Sequence, residues 1–261
     1  MLRVEQTGPV LTITLDRPER RNSQAPSLWS ALAGVGEGLD PSVRVVVLRA
    51  EGPSFSAGLD RDMLTPQGVP GEPSVLALAA GAAAGGPGQL EDAIAQFQRG
   101  FAIWADVRAI TIAAVQGHAI GAGFQLALAC DLRVVADDVA FAMRETSLGL
   151  VPDLAGTSPL VRSVGYARAL EICVTGRFVG AQEAVAIGLA SVAVPRQDLD
   201  AAARDLADAI LQAPQAAVGE LKALLRNAVD ASPTDQLKAE REAQARLLTA
   251  MVSESARGSG K

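Results

Sequence analysis

Two glycine-containing segments are the first candidates for chemistry, because each can present backbone N–H groups that have no internal partner. Residues 117–131 (GHAIGAGFQLALACD) follow an apolar strand-like run at 110–115 and pass directly into an Ala/Leu-rich helical pattern. The first N–H groups of a helix lack intrahelical acceptors and favour an anion or oxyanion. Residues 55–60 (FSAGLD) contain a second glycine turn. We predict that one N–H from each segment converges on a single oxygen, as a backbone oxyanion hole.

Two carboxylates, Glu145 and Asp153, are the main candidates for proton transfer. They lie in the mostly apolar segment 143–157, which leaves a predicted strand and ends in a Gly-Thr helix start. Partial burial there would raise the pKa of a carboxylate towards neutrality, which suits proton transfer. Structural roles are the alternative. Glu145 could pair with Arg144 or Arg162, and Asp153 could cap the following helix.

Other common chemistries lack their residue patterns. The sequence contains no G-x-S-x-G nucleophile motif, no phosphate-binding G-x-x-x-x-G-K-[ST] loop and no dinucleotide-binding G-x-G-x-x-G after a strand. The one histidine, His118, lies in the turn before the predicted helix, where a packing role is favoured over a general base. Cys130 and Cys173 have no partners at metal-ligand spacing, so we expect buried thiols and no metal site.

The composition indicates a soluble globular protein. Of its 261 residues, 49% are hydrophobic and 20% are charged, which is typical of an enzyme-sized domain. The net charge of −6 and the scattered basic residues argue against a nucleic-acid partner. We see no basic segment leading into an apolar signal-like region and no membrane span, and therefore expect a cytoplasmic protein.

The elements that would position these residues alternate between strand and helix, which predicts an α/β architecture with a layered sheet. The predicted strands lie in a hairpin over 2–15 and at 43–48, 110–115, 132–136 and 139–143, with helices at 26–38 and 89–107. Residues 65–88 are rich in Gly, Pro and Ala, so we expect a mobile lid or a surface excursion. The last hundred residues are predicted to be mostly helical.

Five segments in this order resemble the crotonase superfamily, that is, the enoyl-CoA hydratase/isomerase family. They are Arg17-Pro18 with Asn22-Ser23, then FSAGLD, GHAIGAGFQLALACD, FAMRETSLGLVPDLAGT at 141–157 and GYARALEICVTGR at 165–177. The resemblance implies a spiral of ββα repeats over 1–196 and a helical C-terminal trimerisation lobe over 197–261. It also implies a homotrimer or a dimer of trimers, acyl-CoA thioester substrates, and no cofactor other than the coenzyme A of the substrate.

The resemblance also assigns binding residues. By position, the two N–H groups of the oxyanion hole fall on Leu59 and Ala122, where a backbone donor tolerates either side chain. The segments matching those that hold the nucleotide of coenzyme A are 19–22 and 56–61. The expected contacts are Arg20, Arg21, Ser56, Ala57, Leu59, Asp60 and Arg61. Each arginine could instead be a solvated surface residue.

The expected catalytic set is Glu145, Asp153 and Gln125, and it departs from the hydratase pattern. Hydratases of this family use two glutamates; Glu145 matches the second, but Gln125 occupies the position of the first. An amide cannot exchange protons as a carboxylate does. Asp153 falls where dienoyl-CoA isomerases carry an aspartate. A plain hydratase is therefore in doubt.

The predicted function is hydration or double-bond isomerisation of an enoyl-CoA, in fatty-acid-type metabolism. An enolate-like state would be stabilised in the oxyanion hole while Glu145, with or without Asp153, moves protons. Three alternatives stay open. They are a non-catalytic acyl-CoA binding or carrier protein, a dienoyl-CoA isomerase, and a distinct thioester reaction such as hydrolysis or a dehalogenation with Asp153 as nucleophile.

Overall fold

The computed structural model describes residues 1–85 and 88–258. The chain divides into two compact units, Met1–Ala207 and Asp208–Lys261. The boundary expected from the resemblance, between residues 196 and 197, stays a prediction. Of the predicted C-terminal lobe, residues 259–261 lie outside the described residues.

A mostly parallel sheet forms the centre of the first unit, with strands in the order β1-β2-β3-β4-β6-β9. Its strands are β1 (Leu2–Thr7), β2 (Val10–Leu15), β3 (Val45–Ala50), β4 (Ile110–Val115), β6 (Leu132–Ala136) and β9 (Val192–Val194), and a smaller sheet contains β5 (His118–Ile120), β7 (Ala140–Ala142) and β8 (Val179–Gly180). Only β1 is antiparallel to its neighbour in the large sheet. The β-branched run of β3 is buried along nearly its whole length, as expected of a parallel strand covered on both faces.

In sequence, helices lie between these strands and after the last of them. They are α1 (Pro26–Glu37), α2 (Val75–Gly85), α3 (Gly88–Asp106), α4 (Ala122–Ala129), α5 (Thr157–Val164), α6 (Tyr166–Thr175), α7 (Ala181–Ala186), α8 (Leu199–Leu211), α9 (Gln215–Asn227) and α10 (Pro233–Gly258). Short 3-10 turns occupy Pro18–Arg20, Arg61–Leu64, Glu145–Leu148 and Arg196–Asp198.

The packing of α1 against α3 anchors the apolar core next to the sheet. The Trp29 ring lies 5.1 Å from the ring of Phe97 and 5.9 Å from that of Phe101, centroid to centroid. A Cβ atom at Gly100 would lie 2.4 Å from the Trp29 carbonyl oxygen. Glycine is therefore needed where the two helix backbones meet.

The structure confirms the α/β architecture, adds a helix within 65–88 and corrects the predicted turn at His118. Residues 65–88 contain α2, because runs of Ala and Leu favour helix strongly even between Gly and Pro; no α2 residue is buried, and residues 86–87 lie outside the described residues. His118 lies in strand β5 and not in a turn. Three residues between glycines are too short for a recognisable strand pattern.

The described residues contain neither a membrane-spanning helix nor a metal-binding cluster. Over 1–85 and 88–258, no helix combines the length and apolar character that crossing a membrane requires. The same part of the chain contains no group of three or more His, Cys, Asp or Glu side chains placed to hold a metal ion.

Candidate active site

The two predicted N–H segments lie side by side. Ser56 pairs with Ala119 in an isolated parallel bridge. The Ser56 N–H donates to the His118 carbonyl at 2.9 Å, and the Ile120 N–H donates to the Ser56 carbonyl at 3.0 Å. The turn at 55–60 is thus fixed against the start of α4.

Two glycines permit this close approach. Gly58 has φ +85°, and a Cβ atom there would lie 2.4 Å from the Ile120 carbonyl oxygen and 3.5 Å from the Ala122 nitrogen. A Cβ atom at Gly123 would lie 2.5 Å from the Ser56 carbonyl oxygen. Because both approaches are backbone to backbone, side-chain movement cannot relieve either contact.

The N–H groups of Leu59 and Ala122 have no acceptor among the described residues. Leu59 forms a parallel bridge with Gln24, in which Gly58 and Asp60 supply the hydrogen-bonding groups, each at 2.8 Å. Its own N–H therefore points away from Gln24. Ala122 is the first residue of α4, so its N–H lacks an intrahelical acceptor. The structure thus brings two free donors to neighbouring positions.

The Glu145 carboxylate lies beside the same helix N-terminus. A Cβ atom at Gly121, the residue before α4, would be 3.2 Å from Glu145 Oε1. Oε1 accepts a hydrogen bond of 2.7 Å from Gln125 Nε2, whereas Oε2 is buried and has no partner among the described residues. Burial raises the pKa of Glu145, and the charge of Asp153 adds to that rise.

The structure does not support pairing of Glu145 with Arg144. The Arg144 guanidinium instead donates to the Gly176 carbonyl at 3.0 Å and lies over the Phe178 ring, 5.8 Å from its centroid. No ion pair of Glu145 occurs within the described part of the chain. Its carboxylate is therefore not neutralised by a cation.

The side chain of Gln125, on α4, contacts both Glu145 and the loop that follows Asp153. It lies on α4 and is 1% exposed. While its Nε2 donates to Glu145, its Oε1 accepts from the Leu154 N–H at 2.8 Å and from the Gly156 N–H at 3.3 Å. One amide thus joins α4 to Glu145 and to the loop that follows Asp153.

Asp153 is half-buried near Glu145, and burial raises its pKa. Its carbonyl accepts a hydrogen bond of 2.7 Å from Gln98 Nε2 on α3. It does not cap the next helix, because α5 has Gly156 at its N-cap and no side-chain cap bond. Both acidic residues predicted from the sequence thus lie in one partly buried region.

Two neighbours of the site were not predicted from the sequence. The thiol of Cys173 on α6 is half-buried, and its pKa is raised by burial and by the charge of Glu145. Gln98 reaches Asp153 from a distance of 55 residues along the chain. No local pattern could have indicated either contact, since both depend on how α3 and α6 pack.

The side chain of His118 contacts Ser54 and Phe178. Its side chain is exposed; Nδ1 is 3.4 Å from Ser54 Oγ, and the ring packs edge-on against Phe178 at 6.0 Å. These contacts agree with the packing role favoured from the sequence. Cys130 and Cys173 are both free thiols.

The predicted nucleotide-binding segments also meet. The Ala57 N–H donates to the Arg21 carbonyl at 2.9 Å. Ser56 is completely buried; its hydroxyl donates to the Asn22 carbonyl at 2.7 Å and accepts from Gln24 at 3.0 Å. Ser56 therefore holds the two segments together, and its hydroxyl is already engaged.

Asp60 and Arg20 form an internal ion-pair network. The Asp60 carboxylate, 2% exposed, accepts from Arg17 at 3.0 Å and from Arg20 at 3.1 Å. Arg20 also pairs with Asp62 at 2.7 Å. Burial would raise the pKa of Asp60, but the hydrogen bonds it accepts, first from the Asp62 N–H and then from Arg20, lower it overall. The charge of Arg20 is therefore largely compensated.

The other two predicted arginines differ from Arg20. Arg21, in a left-handed conformation with φ 50°, and Arg61 are both exposed. Neither makes an ion pair with a described residue. Their charges remain available to a ligand.

A separate polar cavity of about 170 Å³ lies at the carboxyl ends of the sheet strands. It is lined by Arg49, Ala50, Glu51, Gly52, Gln116, Arg196, Gln197, Leu199 and Asp200. None of the predicted site residues lines it. It therefore does not belong to the region around Glu145.

Comparison with known proteins places these features in a family. The family model described as enoyl-CoA hydratase/isomerase matches residues 77–260. A Thermobifida fusca YX protein, described as a candidate enoyl-CoA hydratase and solved with acetoacetyl-CoA, is 44% identical, with 95% of each chain covered and a TM-score of 0.90. Its structure with CoA aligns at 42% identity over 97% of this chain and 94% of that one, with the same TM-score.

Curated relatives give the same result. A Mycobacterium tuberculosis protein named as a candidate enoyl-CoA hydratase is 33% identical over 243 residues, covering 91% of this chain and 86% of the relative. A carnitinyl-CoA dehydratase of Salmonella typhi is 32% identical over 231 residues, covering 86% and 80%. The chain therefore has the crotonase fold and belongs to the enoyl-CoA hydratase/isomerase family.

Proposed function

We propose that this protein binds an acyl-CoA thioester and moves protons next to the thioester carbonyl. One observation carries the proposal: within the described part of the chain, the N–H groups of Leu59 and Ala122 lack acceptors, and the nearby buried carboxylate of Glu145 has one oxygen, Oε2, without a partner. The Thermobifida fusca structures with CoA and acetoacetyl-CoA support an acyl-CoA ligand.

The proposed mechanism uses the two N–H groups as an oxyanion hole. Their hydrogen bonds to the thioester oxygen stabilise the negative charge that develops there when a proton leaves the neighbouring carbon. Loss of one such donor typically costs about 10²–10³ in kcat. Ionised Glu145 takes this proton and returns it, and the raised pKa keeps the carboxyl group effective as both base and acid.

The hydrogen bonds of Gln125 favour double-bond isomerisation over hydration. Its Oε1 already accepts two backbone N–H groups, so it has little remaining capacity to bind an attacking water. An allylic shift needs only a proton removed from one carbon and delivered to another. Glu145, with Asp153 nearby, suffices for that, and two offset carboxylates also suit the longer shift in a 3,5-dienoyl-CoA.

Hydration or dehydration is the second candidate. It is favoured by the relatives, which are named for water addition or removal. It would require Glu145 and Asp153 to divide the activation of water and the handling of the α-proton. We expect it to be slower than isomerisation, because the amide of Gln125 cannot take part in proton exchange.

We further propose that Arg21 and Arg61 contact the phosphates of coenzyme A. Both are exposed and lack ion pairs with described residues, whereas Arg20 is engaged by Asp60 and Asp62. A homotrimer or dimer of trimers, no additional cofactor and a cytoplasmic location stay predictions. Exposed apolar side chains of the first unit would suit subunit contacts. They include Tyr166, Leu170, Val174 and Phe178.

Incubation with 2-enoyl-, 3-enoyl- and 3,5-dienoyl-CoA tests the proposal. We expect 3-enoyl- or 3,5-dienoyl-CoA to be isomerised faster than 2-enoyl-CoA is hydrated, and Glu145→Gln to abolish turnover while CoA affinity is retained. Binding of all three without turnover would contradict the proposed function. It would favour the non-catalytic carrier.

A further inference from the structure

We infer that Gln125 is a positioning residue. Its amide binds Oε1 of Glu145, which leaves Oε2 as the oxygen that exchanges the proton. The same amide holds the loop of Asp153 against Glu145. The inference rests on the proposed function, since it specifies how the proton-transfer group is built. It follows from the hydrogen-bond geometry of one buried amide.

The orientation of the Gln125 amide is determined by its neighbours. Two backbone N–H groups, of Leu154 and Gly156, require an acceptor on one side. A carboxylate requires a donor on the other, where Nε2 lies 2.7 Å from Glu145 Oε1. A flipped amide would place donor against donor and oxygen against oxygen, so only one orientation satisfies all three contacts.

Packing prevents Gln125 from leaving this position. The residue is 1% exposed, on a helix whose residues 122–128 are all buried. A Cβ atom at Gly156 would lie 2.6 Å from Gln125 Cγ. The absence of a side chain at Gly156 therefore lets the loop backbone close over the amide and reach its oxygen.

The two oxygens of Glu145 become inequivalent as a result. Oε1 is held by the amide, while Oε2 is buried and lacks a partner among the described residues. An acceptor in that state is expected to bind a proton or a ligand group. A substrate proton can bind to Oε2, which has no donor, whereas a substrate group would have to displace the Gln125 amide to reach Oε1.

The Gln125 amide also opposes the rise in the pKa of Glu145 that its surroundings cause. Burial and the charge of Asp153 raise the pKa of Glu145, and the Gln125 hydrogen bond opposes them. Burial and the charge of Glu145 raise the pKa of the half-buried Cys173 thiol, and Arg144 is directed to the Gly176 carbonyl. Without a paired cation, the amide is the side-chain donor that stabilises the charged form.

Asp153 is positioned by the same amide through the backbone. Its successor, Leu154, donates to Gln125 Oε1 at 2.8 Å. From the other side, Gln98 Nε2 donates to the Asp153 carbonyl at 2.7 Å. The loop is thus held between α4 and α3, which sets where the second carboxylate lies relative to the first.

The main test is Gln125→Met, which keeps length and burial but removes the amide. Gln116→Met is the matched control, because Gln116 is also buried and donates to two backbone carbonyls, of Ala50 and Gly52, away from Glu145. We expect Gln125→Met to raise the pKa of Glu145, read from carboxyl ¹³C shifts, and to lower kcat on the order of 10-fold. KM and CoA affinity should change less than about twofold.

Gln125→Glu provides a rescue. When protonated, the introduced carboxylic acid can donate to Glu145 Oε1 and accept both backbone N–H groups; when ionised, it would place two carboxylates about 2.7 Å apart. We therefore expect this variant to show two coupled pKa values for the pair and to recover activity as the pH falls. Gln116→Met should show neither effect.

A measurement on the unmodified protein tests the inference even if Gln125→Met or Gln125→Glu does not fold. The side-chain ¹⁵N–¹H₂ signals of Gln125 should shift with the ionisation of Glu145 and lose that shift in Glu145→Gln. Absence of the shift, or equal effects of Gln125→Met and Gln116→Met on pKa and kcat, would overturn the inference. The shift without turnover of any acyl-CoA would support the positioning and contradict the proposed function instead.

Discussion

Substituting Gly58 by alanine perturbs the proposed oxyanion hole without replacing either of the residues that supply its N–H donors. The new Cβ atom would lie 2.4 Å from the Ile120 carbonyl oxygen and 3.5 Å from the Ala122 nitrogen. The turn at 55–60 and the start of α4 must separate by roughly 1 Å before the first contact becomes an ordinary one. The N–H groups of Leu59 and Ala122 would then no longer converge on one oxygen.

The expected loss follows from the size of this displacement. A misplacement of about 1 Å can cost on the order of 100-fold in rate, and complete loss of one oxyanion donor costs about 10²–10³ in kcat, or about 2.7–4 kcal/mol. We therefore expect Gly58→Ala to lower kcat by about 100-fold. The positive φ at Gly58 adds a folding penalty of about 1–2 kcal/mol.

The Gly8→Ala variant separates the loss of stability from the loss of kcat. Gly8 also has a positive φ, +56°, but a Cβ atom there would meet nothing within 4 Å. Its variant should therefore lose stability with little change in kcat. Steady-state kinetics and thermal melting of both variants make the comparison. Similar kcat values for Gly58→Ala and Gly8→Ala would show that the contact between Gly58 and Ile120 does not position the N–H donors.

Three further predictions concern the carboxylates. In the unmodified protein, kcat/KM should rise with pH as Glu145 ionises, and Glu145→Gln should abolish turnover over the whole pH range. Glu145→Gln should also be more stable than the unmodified protein above about pH 4.3. Stability linked to a raised carboxyl pKa is present at low pH and is lost as the pH rises through the folded-state pKa. Thermal melts at several pH values measure this difference in stability, and its absence would mean that a partner neutralises the charge of Glu145. Asp153→Asn should slow turnover of 3,5-dienoyl-CoA more than that of 3-enoyl-CoA, and equal effects on both would contradict its proposed role. Asp60→Asn should lower the free energy of unfolding at pH 7 by about 1–3 kcal/mol, measured by urea titration. The difference from the unmodified protein should shrink as the pH falls below about 3.9 through the depressed folded-state pKa of Asp60. A difference that does not depend on pH would contradict this prediction.

The proximity of the two N–H segments could be anticipated from the sequence. Residues 55–60 follow the strand now seen as β3, and residues 117–131 follow β4. These strands are parallel neighbours, and the carboxyl ends of parallel strands meet at one edge of a sheet. Apolar runs indicated both strands, although β3 begins two residues later than predicted, at Val45 and not at residue 43.

Other parts of the site depend on tertiary contacts that no local pattern reports. The charge of Arg20 indicated a phosphate contact, but its pairing with the buried Asp60 joins residues 40 apart. Gln125 was recognised as a departure from the two-glutamate pattern. Its bonds to Glu145, Leu154 and Gly156 depend on how the later loop folds over α4.

We propose that the N–H groups of Leu59 and Ala122 bind one thioester oxygen beside Glu145. This contact can be observed in a crystal structure of the protein with acetoacetyl-CoA. We predict that the thioester oxygen lies about 2.7–3.1 Å from both nitrogens, with Glu145 Oε2 facing the carbon between the two carbonyl groups. A thioester oxygen bound away from either nitrogen, or an acyl group remote from Glu145, would contradict the account.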